Sequence, residues 1–130
     1  MIALVHCIEA GQGKHRVFLE VHFTDGRGLC IFLHGGERSH VGGVALAVPR
    51  KKSNHDSLTT DTSLICAPGH KDVILAADIA KMIAVASNQI VTVTAGVHVD
   101  NAGADSLLLL AANAQLAART LITEQGWDTD

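Results

Sequence analysis

The stretch IVTVTAGVHVDNAGADSLLLL, residues 90–110, decides how this chain folds. In its first part Val91, Val93, Ala95, Val97 and Val99 are apolar, while Thr94, Gly96, His98 and Asp100 between them are polar or bare. Alternate residues of a strand point to opposite faces, so Ile90–Val99 reads as a strand with one face buried. The alternation then stops. From about Ala104 to Glu124 the pattern is that of a long helix, with Asn101 placed to cap its start. A strand therefore runs almost directly into a helix, and His98 and Asp100 sit at the junction.

Outward from there, Lys71 to about Ala86 reads as a second helix. Val73, Ala76, Ala77, Ala80 and Ile83 or Ala84 share its inward stripe, and Asp78 and Lys81 lie outside. The chain before it reads as strands. Val17, Leu19, Val21 and Phe23 alternate with Arg16, Phe18, Glu20 and His22, and Ile2–Ile8 and Leu29–Leu33 look alike. Turns at Gly11-Gln-Gly13 and Asp25-Gly26 suit hairpins, so these three strands are expected to form an antiparallel meander. Val41–Val48 is continuously apolar, which suits a central strand ended by Pro49. Residues 50–62 are polar and unpatterned and are expected to form an exposed, mobile loop before a short strand at Ser63–Ala67. The order β-β-β-β-β-α-β-α predicts an α+β fold: a mainly antiparallel sheet with two C-terminal-half helices covering it. Residues 1–130 show no repeat or linker and are expected to form one domain.

At 130 residues the chain can build a core without disulfides. Its net charge of -3 and pI near 6.2 argue against a nucleic-acid partner. Only Arg50-Lys51-Lys52 concentrates positive charge, enough for one phosphate. Cys7, Cys30 and Cys66 are far apart and odd in number, which suits reduced, buried or half-buried thiols in a cytoplasmic protein. The start MIALVHCIEAGQGKH reaches His6 and Glu9 too early for a signal peptide. Leu107–Ala118 is shorter than a membrane span and contains Asn113 and Gln115, so no membrane partner is expected. The second helix nevertheless carries more leucine (Leu107, Leu108, Leu109, Leu110) than one buried stripe requires. A self-association surface, and so a homodimer or higher homo-oligomer, is the preferred explanation. A helix held tightly between sheet and loop would look the same.

Four histidines lie at or beside glycine turns: His34 in HGG, His40 in HVGG, His70 in PGHKD and His98 in AGVHVDN. In Pro68-Gly69-His70-Lys71-Asp72 the unpaired N–H groups of a helix start attract anions, and Lys71 adds charge. An ordinary helix start, with Asp72 set against the dipole, has the same pattern. His98 and Asp100 share a strand face and form a pair suited to metal ligation or proton transfer. The plainer alternative makes Asp100 a helix cap and His98 a surface residue. His34 and His40 lie either side of a turn that would let them face each other, but two imidazoles fall short of a zinc site. No G-x-S-x-G, no G-x-G-x-x-G after a strand and no H-E-x-x-H is present, and the histidine group does not look like a catalytic centre.

Taken in order and spacing, HVGGVALAVPR (40–50), PGHKD (68–72) and AGVHVDNA (95–102) resemble the LpdD-like prenylated-flavin chaperone family. These are small proteins encoded with UbiD-type decarboxylases of hydroxylated aromatic acids, and the likeness runs from about residue 34 to the C-terminus. The resemblance implies a non-catalytic accessory protein that binds prenylated FMN and passes it to the apo-decarboxylase, with a fold related to proteasome-assembly chaperones. The motif positions it carries over are His40, Gly42, Gly43, Gly69, His70, Lys71, Gly96, His98, Asp100 and Asn101. Within them, the helix start with Lys71, helped by Arg50, would hold the phosphate. A divalent metal on His40, His70 or His98 would be another bridge to it. Gly42, Gly43 and Gly96 would leave room for the ring, while Phe18, Phe23, Phe32 and Trp127 are the only aromatics available to stack on it. Two other readings stand beside this one. The first is an assembly chaperone of the proteasome type acting through its alanine-rich helices; the second is a small metal-dependent lyase or hydrolase using His98 and Asp100.

Overall fold

Two helices lie against one face of a six-stranded sheet, and among the described residues no element covers the other face. The computed structural model describes residues 4–54, 56–69 and 71–127. Strands β1 (Leu4–Ala10), β2 (Val17–Phe23), β3 (Leu29–Gly36), β4 (Arg38–Lys51) and β5 (Leu58–Cys66) precede α1 (Asp72–Ser87), β6 (Val91–His98) and α2 (Ala104–Glu124). The sheet order is β1-β2-β3-β6-β4-β5. Every neighbouring pair is antiparallel except β3 and β6, which run parallel. The α+β fold, the element order and the opening meander are as the sequence predicts.

The core is made by the alternation. Val17, Leu19 and Val21 of β2, Ile31 and Leu33 of β3, and Val91, Val93 and Ala95 of β6 all point to the helix side and are buried. On them sit Ala76, Ile79, Ala80 and Ile83 of α1, and Leu110, Ala114, Ala117, Ala118 and Leu121 of α2. The alanines let both helices seat close to the sheet, while each buried leucine or isoleucine contributes roughly 1.5–3 kcal/mol. By length and composition α2 is apolar enough to cross a membrane. In the fold its apolar stripe faces β1, β2 and α1, and Leu107, Leu108, Leu109 and Leu116 remain exposed.

Three expectations about local structure need correction. Residues 50–62 are not a mobile loop: β4 runs through Pro49 to Lys51, and β5 already begins at Leu58. The last β4–β6 partner pair is Ala47 with Val91, so Pro49 is flanked on one side only, by Thr60 of β5, the kind of edge position where a strand tolerates proline. As the edge strand, β5 has exposed residues on both faces, so its threonines and Asp61 show no alternation to read. Asn101 does not cap α2; Gly103 occupies that position, and Asn101 adopts a left-handed turn conformation (φ 54°). The thiols of Cys7, Cys30 and Cys66 are exposed rather than buried, because Cys7 and Cys30 alternate onto the uncovered face and Cys66 ends the edge strand. Partial burial, followed by the Glu20 and Glu9 carboxylates, holds the Cys7 thiol above its ordinary range.

Candidate functional site

A pocket of about 570 Å³ opens where the C-terminal end of β6 meets the N-terminal ends of α1 and α2. Small-molecule and cofactor sites occupy this size range. Its two walls differ in character. Ile74 and Leu75 of α1, Val97 and Val99 at the end of β6, and Leu107 and Leu110 of α2 make one wall apolar. His40, Lys71, Asp72, Asp78, His98 and Asn101 make the other polar. Such a space suits a ligand with a flat apolar end and a polar, anionic one.

A bulge in β4 brings His40 to this place. Ser39 pairs with Val97 and Gly43 with Ala95, so four residue steps on β4 face two on β6. The displaced backbone lays the His40 carbonyl over Gly96, where any Cβ would overlap it. His40 Nε2 then lies 3.1 Å from Asp72 Oδ2, and Asp72 Oδ1 accepts the Val97 N–H at 3.2 Å. One carboxylate thus ties α1, the bulge and β6 together. Gly42 and Gly43 make room for it: a Cβ on Gly42 would overlap the Asp72 carboxylate, and one on Gly43 would come within 2.7 Å of Val73 Cβ.

The end of β6 carries a second tie. His98 Nε2 lies 2.8 Å from Asp100 Oδ1, Arg38 donates to the same oxygen at 2.8 Å, and the Asp100 N–H donates to Glu37 Oε1 at 2.8 Å. The His98 hydrogen bond, then the Arg38 charge, hold the Asp100 carboxyl below the usual aspartate range. The His40 and His98 rings meet edge to face with centroids 6.3 Å apart.

Both helices start at the pocket. Gly69 and Lys71 before α1, and Asn101 and Ala102 before α2, line it. Neither start has a side-chain cap, since Lys71 and Gly103 at the cap positions make no such hydrogen bond. Two helix starts, each a positive dipole end, therefore border one cavity, although the Ile74 N–H is already bonded to the Lys71 carbonyl.

Of the residues singled out in the sequence, His40, Gly69, Lys71, His98 and Asn101 line the pocket. Gly42, Gly43 and Gly96 stand behind it as packing positions, and Asp100 acts on it through His98. Arg50 lies at the far end of β4, paired with Asp61 at 2.9 Å. His70 lies outside the described residues. His34 does not face His40; its ring stacks on Phe18 and Phe32 and bonds to Glu20 and Ser39. Among the described residues no three His, Cys, Asp or Glu side chains gather to hold a metal. His40 and His98 each bond through Nε2 to a separate carboxylate. The apolar wall and the second helix start are absent from the sequence reading. The excess of leucine at the start of α2 was their only signal, because Leu107 and Leu110 line the cavity.

The sequence matches a family model described as the prenylated flavin chaperone LpdD-like domain, over residues 11–125. Among solved structures, one described as a novel chaperone complex for yeast 20S proteasome assembly superposes with a TM-score of 0.62. It is 12% identical and covers 98% of each chain, a likeness of fold. No curated protein matches the sequence.

Proposed function

This chain belongs to the prenylated flavin chaperone LpdD-like family, and from that membership we propose that it binds prenylated FMN and delivers it to a UbiD-type decarboxylase. The pocket between β6, α1 and α2 is the cargo site in this reading. The observation that carries it is the convergence of two uncapped helix starts beside an apolar wall. Lys71 and the first-turn N–H groups hold the phosphate through charge-assisted bonds. We assign His70, next to Lys71 in sequence, to the same task, and Arg50, paired with Asp61 far along β4, to none. No phenylalanine or tryptophan lines the pocket, so the ring system rests on Leu75, Val97 and Leu110. The neighbouring Asp72 carboxylate does not repel the cargo strongly, because His40 and the Val97 N–H already engage it.

The work is carriage rather than catalysis: a single-domain cytoplasmic protein holding a reactive cofactor until an enzyme takes it. Ile74 and Leu107 line the cavity yet remain 63% and 56% exposed, so the mouth has an apolar rim for the recipient to meet. The test is to produce the protein with a flavin prenyltransferase, purify it without oxygen, and look for flavin absorbance and transfer to apo-decarboxylase. Colourless protein with no affinity for reduced prenylated FMN would defeat the reading. A second reading, assembly of another protein complex through the helix face, is favoured by Leu108, which is 69% exposed and outside the pocket. Capture of such a complex, unaffected by Lys71→Glu, would support it.

A further inference from the structure

We infer that Asp78 accepts a hydrogen bond from the ring of the cargo, which makes the pocket selective for a flavin over other phosphorylated apolar molecules. The inference rests on the cargo reading above and adds to it which end of the ring lies where. Lys71, Ile74, Leu75 and Asp78 all line the pocket. Positions i, i+3, i+4 and i+7 share one face of a helix, so these four form a single row that starts at the cap position of α1. In order, the row is a cation, two apolar side chains and a carboxylate. From Lys71 to Asp78 it runs about 10 Å along the axis, at 1.5 Å per residue.

Asp78 differs from the other carboxylates of the site. His40 and the Val97 N–H engage Asp72, and His98 and Arg38 engage Asp100. The Asp78 carboxylate lines the cavity and takes no hydrogen bond or ion pair from any other described residue. An exposed aspartate on a helix is ordinarily a solvated surface group. This one stands at the end of the row furthest from Lys71, where it has acceptor capacity to offer a ligand. Its repulsion of a phosphate held about 10 Å away is small, less than about a factor of two in affinity in salted water.

Each part of the row selects a part of the ligand. Lys71 takes an anionic head. Ile74 and Leu75, with Leu107 and Leu110 of α2, take a flat apolar body. An ionised carboxylate accepts hydrogen bonds and donates none, so the far end of the ligand must carry an N–H or O–H. FMN has these parts in this order: a phosphate on its side chain, a fused ring body, and an imide N3–H at the end of the ring. Prenylation leaves that imide edge unaltered, so plain FMN serves as the probe. One oxygen of Asp78 accepts the N3–H, and because Asp78 is exposed the two flanking carbonyls keep water. A phosphorylated alkyl chain matches the first two parts and fails at the third, where it would strip water from the carboxylate and return no bond.

Titration calorimetry of the full chain with FMN and with N3-methyl-FMN, which lacks that donor, tests the inference, with inorganic phosphate as control. Loss of a hydrogen bond to a charged group is worth about tenfold or more, so N3-methyl-FMN is expected to bind at least ~10-fold more weakly than FMN. Asp78→Leu should weaken FMN by the same factor and leave N3-methyl-FMN unchanged. Inorganic phosphate should stay within about a factor of two, the reach of the lost charge. Asp78→Asn, whose carboxamide oxygen still accepts, should recover most of the FMN affinity. Equal binding of FMN and N3-methyl-FMN by the unaltered chain overturns the inference and leaves the cargo reading standing. FMN binding that Asp78→Leu leaves unchanged or tightens does the same, because a merely repulsive charge behaves so. Parallel loss of both flavins with Asp78→Leu would make Asp78 a support of α1 and also overturns it. Colourless protein that binds neither flavin defeats the cargo reading, and this inference with it.

Discussion

The imidazoles of His40 and His98 meet edge to face, yet each is bonded through Nε2 to a different carboxylate, Asp72 at 3.1 Å and Asp100 at 2.8 Å. The contact joins the β4 bulge to the end of β6 and builds the polar wall of the pocket from two distant parts of the chain. Both rings are engaged through Nε2, and among the described residues no group of three His, Cys, Asp or Glu side chains forms around them. The histidines of the polar wall are thus already engaged within the protein, and the cation facing the cavity is Lys71.

Removing divalent metal is accordingly expected to change nothing. Dialysis against a chelator should leave the melting temperature within about 1 °C and flavin retention the same. A clear fall in either would show that His70 completes a metal site with these two histidines, and the separate-carboxylate account would be wrong.

Reversing the charge at Lys71 should weaken cargo binding and spare the fold, since Lys71 is exposed ahead of α1. Charge-assisted hydrogen bonds are worth about 1.5–3 kcal/mol, so Lys71→Glu is expected to raise the Kd for FMN at least ~10-fold. Titration calorimetry reads this directly. An unchanged Kd would move the phosphate away from the α1 start.

Gly96→Ala should be far more damaging than a single methyl suggests. Its Cβ would overlap the His40 carbonyl, which is backbone and cannot rotate away, so the bulge must reform. Overpacking of this kind costs roughly 1–3 kcal/mol, and urea unfolding should show a lower midpoint with little change in slope. Full stability would mean that the bulge is softer than its packing indicates.

These residues also show how far the sequence can be read. The strand at Val91–His98 and the helix at Ala104–Glu124 were legible because a buried face imposes its period on the residues. The insertion of β6 between β3 and β4 was not, because alternation says which face is buried and nothing about which strand lies alongside. The β5 edge was hidden for the opposite reason: with both faces wet it has no period. The histidine turns were recognisable as a group, and the His98–Asp100 tie followed from their two-residue spacing, but the ties of His34 and His40 did not. His40 and His34 look alike in sequence, and a two-residue excess in β4 sends the first to Asp72 while the second stacks on phenylalanines. The apolar wall stayed out of view because Leu107 and Leu110 follow a helix pattern that serves core and pocket equally.

Acid should release the end of β6 only at low pH. Asp100 is held below its ordinary value by His98 and Arg38, so its stabilising contribution is complete above the unfolded aspartate range, near pH 4, and is lost as pH falls through the lowered folded value. Carboxyl NMR should give Asp100 a midpoint below that of an aspartate in an unfolded peptide. Arg38→Ala and His98→Gln should each move it upward. A midpoint unmoved by either would mean that neither partner holds the carboxylate in solution.

Leu107 separates ring binding from phosphate binding. It lines the pocket at the start of α2 but is 56% exposed, so replacing it disturbs the cavity wall without emptying the core. If the ring covers about 50 Å² of its side chain, at about 25 cal/mol per Å², the contact is worth ~1.2 kcal/mol, close to a factor of eight. Leu107→Ser should therefore raise the Kd for FMN about eightfold and leave the Kd for inorganic phosphate unchanged, whereas Lys71→Glu should weaken both. The pairing matters because the two helix starts alone would bind any anion. Only a flat apolar ligand with an attached phosphate needs both walls, so an equal loss for both ligands with Leu107→Ser would mean the apolar wall is support for α2 and not a surface for the cargo.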